Sequence, residues 1–170
     1  EQMINAFTME RVSTSGARFN FEKAKKIIAV SKSSFETTVK KYNADSKKII
    51  INDYGINKIT ADNFKNIKKE FSYKDDDKII LCIGRVTKDK GVEDFCKVAE
   101  KLTKYKFIFV GGYRNEKYYH SIYQRYSNIV NFLGERNDVF NIYKSSDIFL
   151  TLSHRESAGL VLMEAMNFSL

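Results

Sequence analysis

The chain has 170 residues, 43% of them apolar or aromatic and none of them proline, with a formal net charge of +8. That length suits one domain or one and a fraction, and no apolar run reaches the ~18 residues a membrane span needs. Two unclustered cysteines and no visible signal peptide favour buried thiols in a reducing compartment, hence a cytoplasmic protein, over a disulfide or a metal site.

The lysines are scattered: Lys23, Lys25 and Lys26, then Lys40 and Lys41, then Lys47 and Lys48, then Lys68 and Lys69. Solvated helix faces and strand ends explain them most simply. The N-terminal third is the most basic part, which leaves peripheral contact with an anionic membrane surface as a second reading. No nucleic-acid-binding signature accompanies the charge, so no nucleic acid partner is expected. The chain opens with Glu1-Gln2 rather than Met, which is expected of a fragment.

In chain order, residues 1–22 show no clear periodicity, and Ser13-Thr14-Ser15-Gly16 reads as a turn or loop. Lys26-Ile27-Ile28-Ala29-Val30-Ser31 reads as a short buried strand. Ser33 or Ser34 can cap a helix running to Tyr42, with Glu36 placed for a capping box. A strand at 48–52 ends at Asp53-Tyr54-Gly55. Residues 57–77 are polar, with a weak helix over 62–71 and an exposed Lys74-Asp75-Asp76-Asp77 run.

A cleaner rhythm follows. Strands are predicted at 79–83, 106–110, 129–133 and 147–152, and helices at 92–102, 116–126 and 139–145, with a last helix after Glu156. The strands are short, continuous and apolar, as when helices cover both faces. The alternation predicts an α/β fold with a doubly wound parallel sheet. Ligands in such sheets sit at the carboxyl ends of the strands. Gly84, Arg85, Gly111, Gly112, Gly134, Glu135, Ser153 and Glu156 occupy those ends. There is no G-x-G-x-x-G and no Walker motif, so a standard dinucleotide or P-loop site lacks support.

The densest chemistry lies at 153–165, where Glu156 and Glu164 stand eight residues apart around Ser157, Gly159 and Leu160. A strand, a Gly-containing turn and a helix make an anion cradle, because the first N–H groups of a helix lack intrahelical partners. With a helix starting near Ser157, Glu164 would project from nearly the same face about two turns on, roughly 10 Å along the axis. Carboxylates accept from hydroxyls and N–H groups bind phosphate. Sugar hydroxyls, a diphosphate and ribose hydroxyls fit that order. The plain alternative is an amphipathic helix with Glu at its positive end.

Other candidates carry the same pairing of readings. Arg85 offers a planar fork and Lys90 a point charge for phosphate oxygens; otherwise they are loop cations. Gly111-Gly112 admits close backbone approach, or is a plain turn. His154 invites a catalytic role, or packs at the surface. His120 and the tyrosines at 118, 119, 123 and 126 read as structural. No metal-ligand cluster or Ser-His-Asp order stands out.

Together these residues resemble the donor-binding C-terminal half of the retaining GT-B glycosyltransferases (glycosyltransferase family 4, glycosyl transferases group 1). The resemblance rests on Ile83-Gly84-Arg85 with Lys90-Gly91, Phe109-Val110-Gly111-Gly112, Phe132-Leu133-Gly134, Tyr143 to Ser146-Asp147, and Ser153 to Met166. Upstream, Ala29-Val30-Ser31 and Ile51-Asn52-Asp53-Tyr54-Gly55-Ile56 resemble the end of that family's N-terminal domain and the crossover.

The resemblance implies a Rossmann-like, incomplete C-terminal half of a GT-B fold with a remnant of the N-terminal domain: 1–56 for the remnant and crossover, 57–77 as linker, 78–170 for the nucleotide-sugar domain. It implies sugar transfer with retention from a UDP- or GDP-sugar, without cofactor or obligatory metal, to a carbohydrate, lipid-linked or protein acceptor. Arg85 and Lys90 would hold the diphosphate, with Gly84, Gly111 and Gly112 beside it. Glu156 would bind donor-sugar hydroxyls, and Ser157, Gly159 and Leu160 would line the donor. Glu164 would bind the ribose, and Glu135 and Arg136 would face the base. Ala158 replaces the family's Phe, and Asp53-Tyr54-Gly55 its Pro-Asn-Gly. The alternatives left open are a catalytically inactive nucleotide-binding domain and a sugar-nucleotide epimerase or phosphorylase on the same fold. The fragment alone is expected to be inactive.

Overall fold

The computed structural model describes residues 3–5, 14–57, 64–154, 156 and 159–170, with 3–5, 14 and 15 by backbone alone. The chain divides into two compact units, 1–56 with 156–160, and 57–155 with 161–170.

The first unit holds β1 (Met3–Asn5), α1 (Thr14–Lys23), β2 (Lys26–Ala29), α2 (Lys32–Tyr42) and β3 (Ile49–Ile51). Its three strands run parallel in the order β1-β2-β3. The loop expected around Thr14 is instead the start of α1. Ala17, Phe21 and Ala24, all buried, recur at helical spacing and supply the apolar stripe that a scan of the whole 1–22 segment obscures. Phe21 packs on Tyr42 with ring centroids 5.4 Å apart. The cap of α2 is Ser31 rather than Ser33 or Ser34: its hydroxyl accepts the Ser34 N–H at 3.1 Å, and its extended backbone ends β2 and starts the helix.

The second unit holds β4 (Ile79–Ile83), α3 (Val92–Lys101), β5 (Lys106–Val110), α4 (Glu116–Tyr126), β6 (Val130–Phe132), α5 (Val139–Ser145), β7 (Ile148–Phe149) and α6 (Leu160–Asn167). The strands are parallel in the order β6-β5-β4-β7. Alternation along each strand sends one set of side chains to each face. Ile80, Cys82, Phe107, Phe109 and Val130 pack with Val92, Phe95, Cys96 and Ala99 of α3 and Ile122 and Tyr126 of α4. Ile79, Leu81, Ile108 and Val110 pack with Ile142 and Tyr143 of α5 and Ala165 of α6. The sheet is doubly wound, as the apolar strands predicted.

Three further elements differ most from expectation. The helix expected over 62–71 is a series of turns at 67–72; residues 62 and 63 lie outside the described residues. Ile67 is buried there, and its N–H donates to Ser145 Oγ at 3.1 Å instead of to a helix carbonyl. The strand β7 is limited to Ile148 and Phe149 of the expected 147–152, with the Asp147 and Leu150 N–H groups donating to Ile79 and Leu81 of β4 at 3.0 and 2.8 Å. The last helix starts at Leu160, so Glu164 stands about one turn from its start rather than two.

Asp147 anchors the opposite edge of the sheet. Its carboxylate accepts from the Ile79 N–H at 2.9 Å and from Lys78 at 2.6 Å, tying the starts of β4 and β7 together.

Candidate functional site

Strand order places β5 and β6 on one side of β4 and β7 on the other, so the winding reverses between β4 and β7. The crevice at the carboxyl ends of such a reversal is where open α/β sheets take ligands.

Glycines bring the strand ends together. The ladder continues past the regular strands: the Gly84 N–H donates to Val110 at 2.9 Å, Gly111 to Gly134 at 2.8 Å, and Val86 to Gly112 at 2.9 Å. Gly111 has φ +140°, and a Cβ there would run into the Gly84 carbonyl. Only glycine lets β4 and β5 end so close to one another. A Cβ on Gly112 would meet the Glu135 carboxylate, and the Lys90 stem passes 3.9 Å from where a Gly84 Cβ would stand. Gly84, Lys90, Gly111, Gly112 and Glu135 thus gather at one edge, with Arg85 half-buried next in the chain. Asp89 shares this local field: a hydrogen bond from Thr87 holds its carboxyl below the usual range, and the Lys90 and Arg85 charges add to the effect.

The loop after β4 and the loop after β7 interlock. Gly91, at φ +65°, packs its Cα against the Leu152 carbonyl. The His154 N–H donates to the Asp89 carbonyl at 2.9 Å, and His154 Nε2 lies 2.9 Å from Asp94 Oδ2 on α3. The His154 bond holds the Asp94 carboxyl below its ordinary value, with Lys97 adding to the effect. His154 is therefore a loop tie in this structure.

Glu164 is held from below. The buried Tyr143 hydroxyl lies 2.9 Å from Glu164 Oε2 and 3.1 Å from the Val161 carbonyl. Burial, then the Glu164 carboxylate, pushes the phenol pKa up, so it stays protonated as a donor. Arg136 is occupied differently. Its guanidinium grips Glu70 through Nη1 and Nη2 at 2.7 and 3.0 Å, and Asp138 through Nε and Nη2 at 2.7 and 2.8 Å. It braces the loop before α5 against the 67–72 turns.

Glu156 is exposed, Gly159 is buried with φ +64°, and Leu160 opens α6. Ser157 lies outside the described residues. Among the described residues, no group of three His, Cys, Asp or Glu side chains could hold a metal ion. Tyr143, Asp94 and Glu70 support the candidate residues, and sequence reasoning gave them no role. Tyr143 stood within a quoted motif, whereas Asp94 lies 60 residues from its partner with no pattern to betray it.

A parallel sheet covered by helices on both faces, with glycines and a lysine gathered at its carboxyl edge, is a Rossmann-like domain. Within that class, residues 63–170 match the sequence model of the Glycosyl transferases group 1 family, and the chain belongs to it. It is 29% identical to the N,N'-diacetylbacillosaminyl-diphospho-undecaprenol alpha-1,3-N-acetylgalactosaminyltransferase of Campylobacter jejuni, over 97% of this chain and 46% of that protein. It is 34% identical to the N-acetyl-alpha-D-glucosaminyl L-malate synthase of Bacillus anthracis, over 59% of this chain and 28% of that protein. The chain thus spans less than half the length of either relative. The fold matches Anabaena Alr3699/HepE, crystallised with UDP-glucose, with a TM-score of 0.80 and 19% identity over 98% of this chain and 50% of that one.

Proposed function

We propose that this chain is the donor-binding part of a glycosyltransferase that moves a sugar, with retention of anomeric configuration, from a nucleoside diphosphate sugar to an acceptor. The observation that carries this is the gathering of Gly84, Gly111, Gly112, Glu135 and Lys90 at the sheet's carboxyl edge in a chain of this family. Bare glycine backbone admits a diphosphate, and the cations beside it match its charge.

In this reading Arg85 and Lys90 hold the diphosphate and stabilise the charge that develops on it as the sugar leaves. Glu156 binds donor-sugar hydroxyls, and the N–H groups at Gly159 and Leu160 face the donor. Glu164 binds the ribose. The Glu135–Arg136 loop faces the base, with the Arg136 guanidinium already committed to Glu70 and Asp138. A UDP-sugar is the first donor to try, because the fold neighbour was crystallised with UDP-glucose; a GDP-sugar is the second. The acceptor is a carbohydrate or a lipid-linked one, the latter because the Campylobacter relative's name is that of an enzyme acting on an undecaprenol diphosphate. With such an acceptor the protein would work at a membrane surface, on the cytoplasmic side in this reading.

Calorimetric titration with UDP and GDP tests the reading. Arg85→Ala and Lys90→Ala should each weaken binding roughly tenfold or more. Unchanged affinity in both variants would remove the diphosphate site. In the full-length protein, Glu156→Gln should lower turnover far more than nucleotide affinity, and NMR of the product anomer tests retention.

A further inference from the structure

Tyr143 is placed with unusual firmness for a residue that touches a candidate ligand-binding carboxylate. It lies on α5 with no exposed surface. Its ring stacks on Phe168 at 5.5 Å with the planes 7° apart, and it leans on Phe149 at 5.9 Å. A ring so enclosed has one position for its hydroxyl. That hydroxyl meets two acceptors, Glu164 Oε2 at 2.9 Å and the Val161 carbonyl at 3.1 Å. Val161 and Glu164 are three apart on α6, so one donor addresses one face of that helix.

A glutamate on a helix otherwise samples many rotamers, and ordering it on binding costs affinity. Pinning one carboxylate oxygen beforehand removes part of that cost. We propose that Tyr143 is a positioning residue for the ribose: its buried hydroxyl fixes the Glu164 carboxylate through Oε2 so that Oε1 is presented to the nucleotide's 2′,3′-diol. This rests on the ribose-binding reading of Glu164 above. Tyr143 then does two jobs, filling the core beneath the sheet and setting selectivity for a ribonucleotide over its 2′-deoxy form.

The test titrates the full chain with UDP and 2′-deoxy-UDP, and with the guanosine pair if GDP binds tighter. The quantity read is the ratio of the two affinities, which a merely structural role would leave unmoved. The parent should prefer the ribonucleotide, and Glu164→Ala should erase the preference. Tyr143→Phe keeps the stacked ring and should cut the preference roughly fivefold. The double variant should match Glu164→Ala alone, because the hydroxyl acts only through the carboxylate. Glu164→Asp draws the carboxylate back from both the Tyr143 hydroxyl and the diol and should lose the preference as Glu164→Ala does. Equal weakening of both nucleotides in Tyr143→Phe, or a lowered melting temperature alone, would overturn the proposal and leave Tyr143 as a tether between helices. Retained preference in Glu164→Ala would overturn the ribose reading itself.

Discussion

The Cα of Gly91 lies against the backbone carbonyl of Leu152, with no room for a side chain between them. This contact joins the loop that carries Arg85 and Lys90 to the loop that follows β7. Gly91 also sits at φ +65°, where a Cβ is strained in its own right. Gly91→Ala should therefore cost about 2–4 kcal/mol, from the left-handed backbone and the displaced Leu152 segment. Gly55→Ala is the control, because nothing lies within 4 Å of its Cβ position. Urea midpoints of the two variants check the contrast, and equal midpoints would refute the packing argument.

His154 reinforces the same junction from the surface. Its imidazole meets Asp94 at 2.9 Å and its N–H meets the Asp89 carbonyl at 2.9 Å. Both side chains are largely solvated, so the pair adds little to global stability. Its effect should fall on the geometry of the cation loop. Asp94→Asn and His154→Ala should leave the melting temperature nearly unchanged and raise the Kd for UDP, read by calorimetry, roughly two- to fivefold. Added salt should shrink that difference. A large melting shift with an unaltered Kd would reverse the assignment.

Much of this arrangement is legible in the residues, for physical reasons. β4, β5, α4 and α5 fall where the apolar runs and turn residues put them, because buried strands and amphipathic helices leave strong local periodicities. The glycines at 84, 111 and 112 mark the strand ends that converge. Other features are tertiary and leave no such trace. The four-bond grip of Arg136 on Glu70 and Asp138 depends on a turn 66 residues upstream. The start of α6 is displaced from Ser157 to Leu160, with Gly159 at φ +64° just before it, and helix boundaries are where local patterns are weakest. α1 leaves little trace because its buried stripe, Ala17 and Phe21 with Ala24 just past its end, is short and two of the three are alanine.

The Arg136 bridge predicts an acid-dependent contribution to stability. Hydrogen bonds from Arg136 hold the Glu70 and Asp138 carboxyls below their ordinary values. A depressed carboxyl favours the folded state when ionised, so the contribution is full above about pH 5 and fades as the pH falls through the folded values. Because the side chains are partly exposed, screening reduces it to about 1 kcal/mol in all. Arg136→Ala should be less stable than the parent at pH 7, and the gap should narrow as the pH is lowered from about 5 to about 3. Denaturant midpoints across that range measure this, and a constant gap would contradict it.

Cys82 and Cys96 give a probe of the sheet's core that needs no ligand. Both thiols are buried in the cluster between β4 and α3. Burial pushes each up to about 12, with Cys96 adding to the effect on Cys82 and Glu100 and Glu93 to that on Cys96. A thiol that is neither ionised nor reachable does not react with a disulfide reagent at pH 8. The folded protein should therefore label only as fast as the β4–α3 core opens, and urea should raise the rate in step with unfolding. Gly91→Ala should accelerate labelling of Cys96, because α3 begins at the residue after the strained glycine. Rapid stoichiometric labelling of either cysteine in the native parent would show that this face of the sheet is not packed as described.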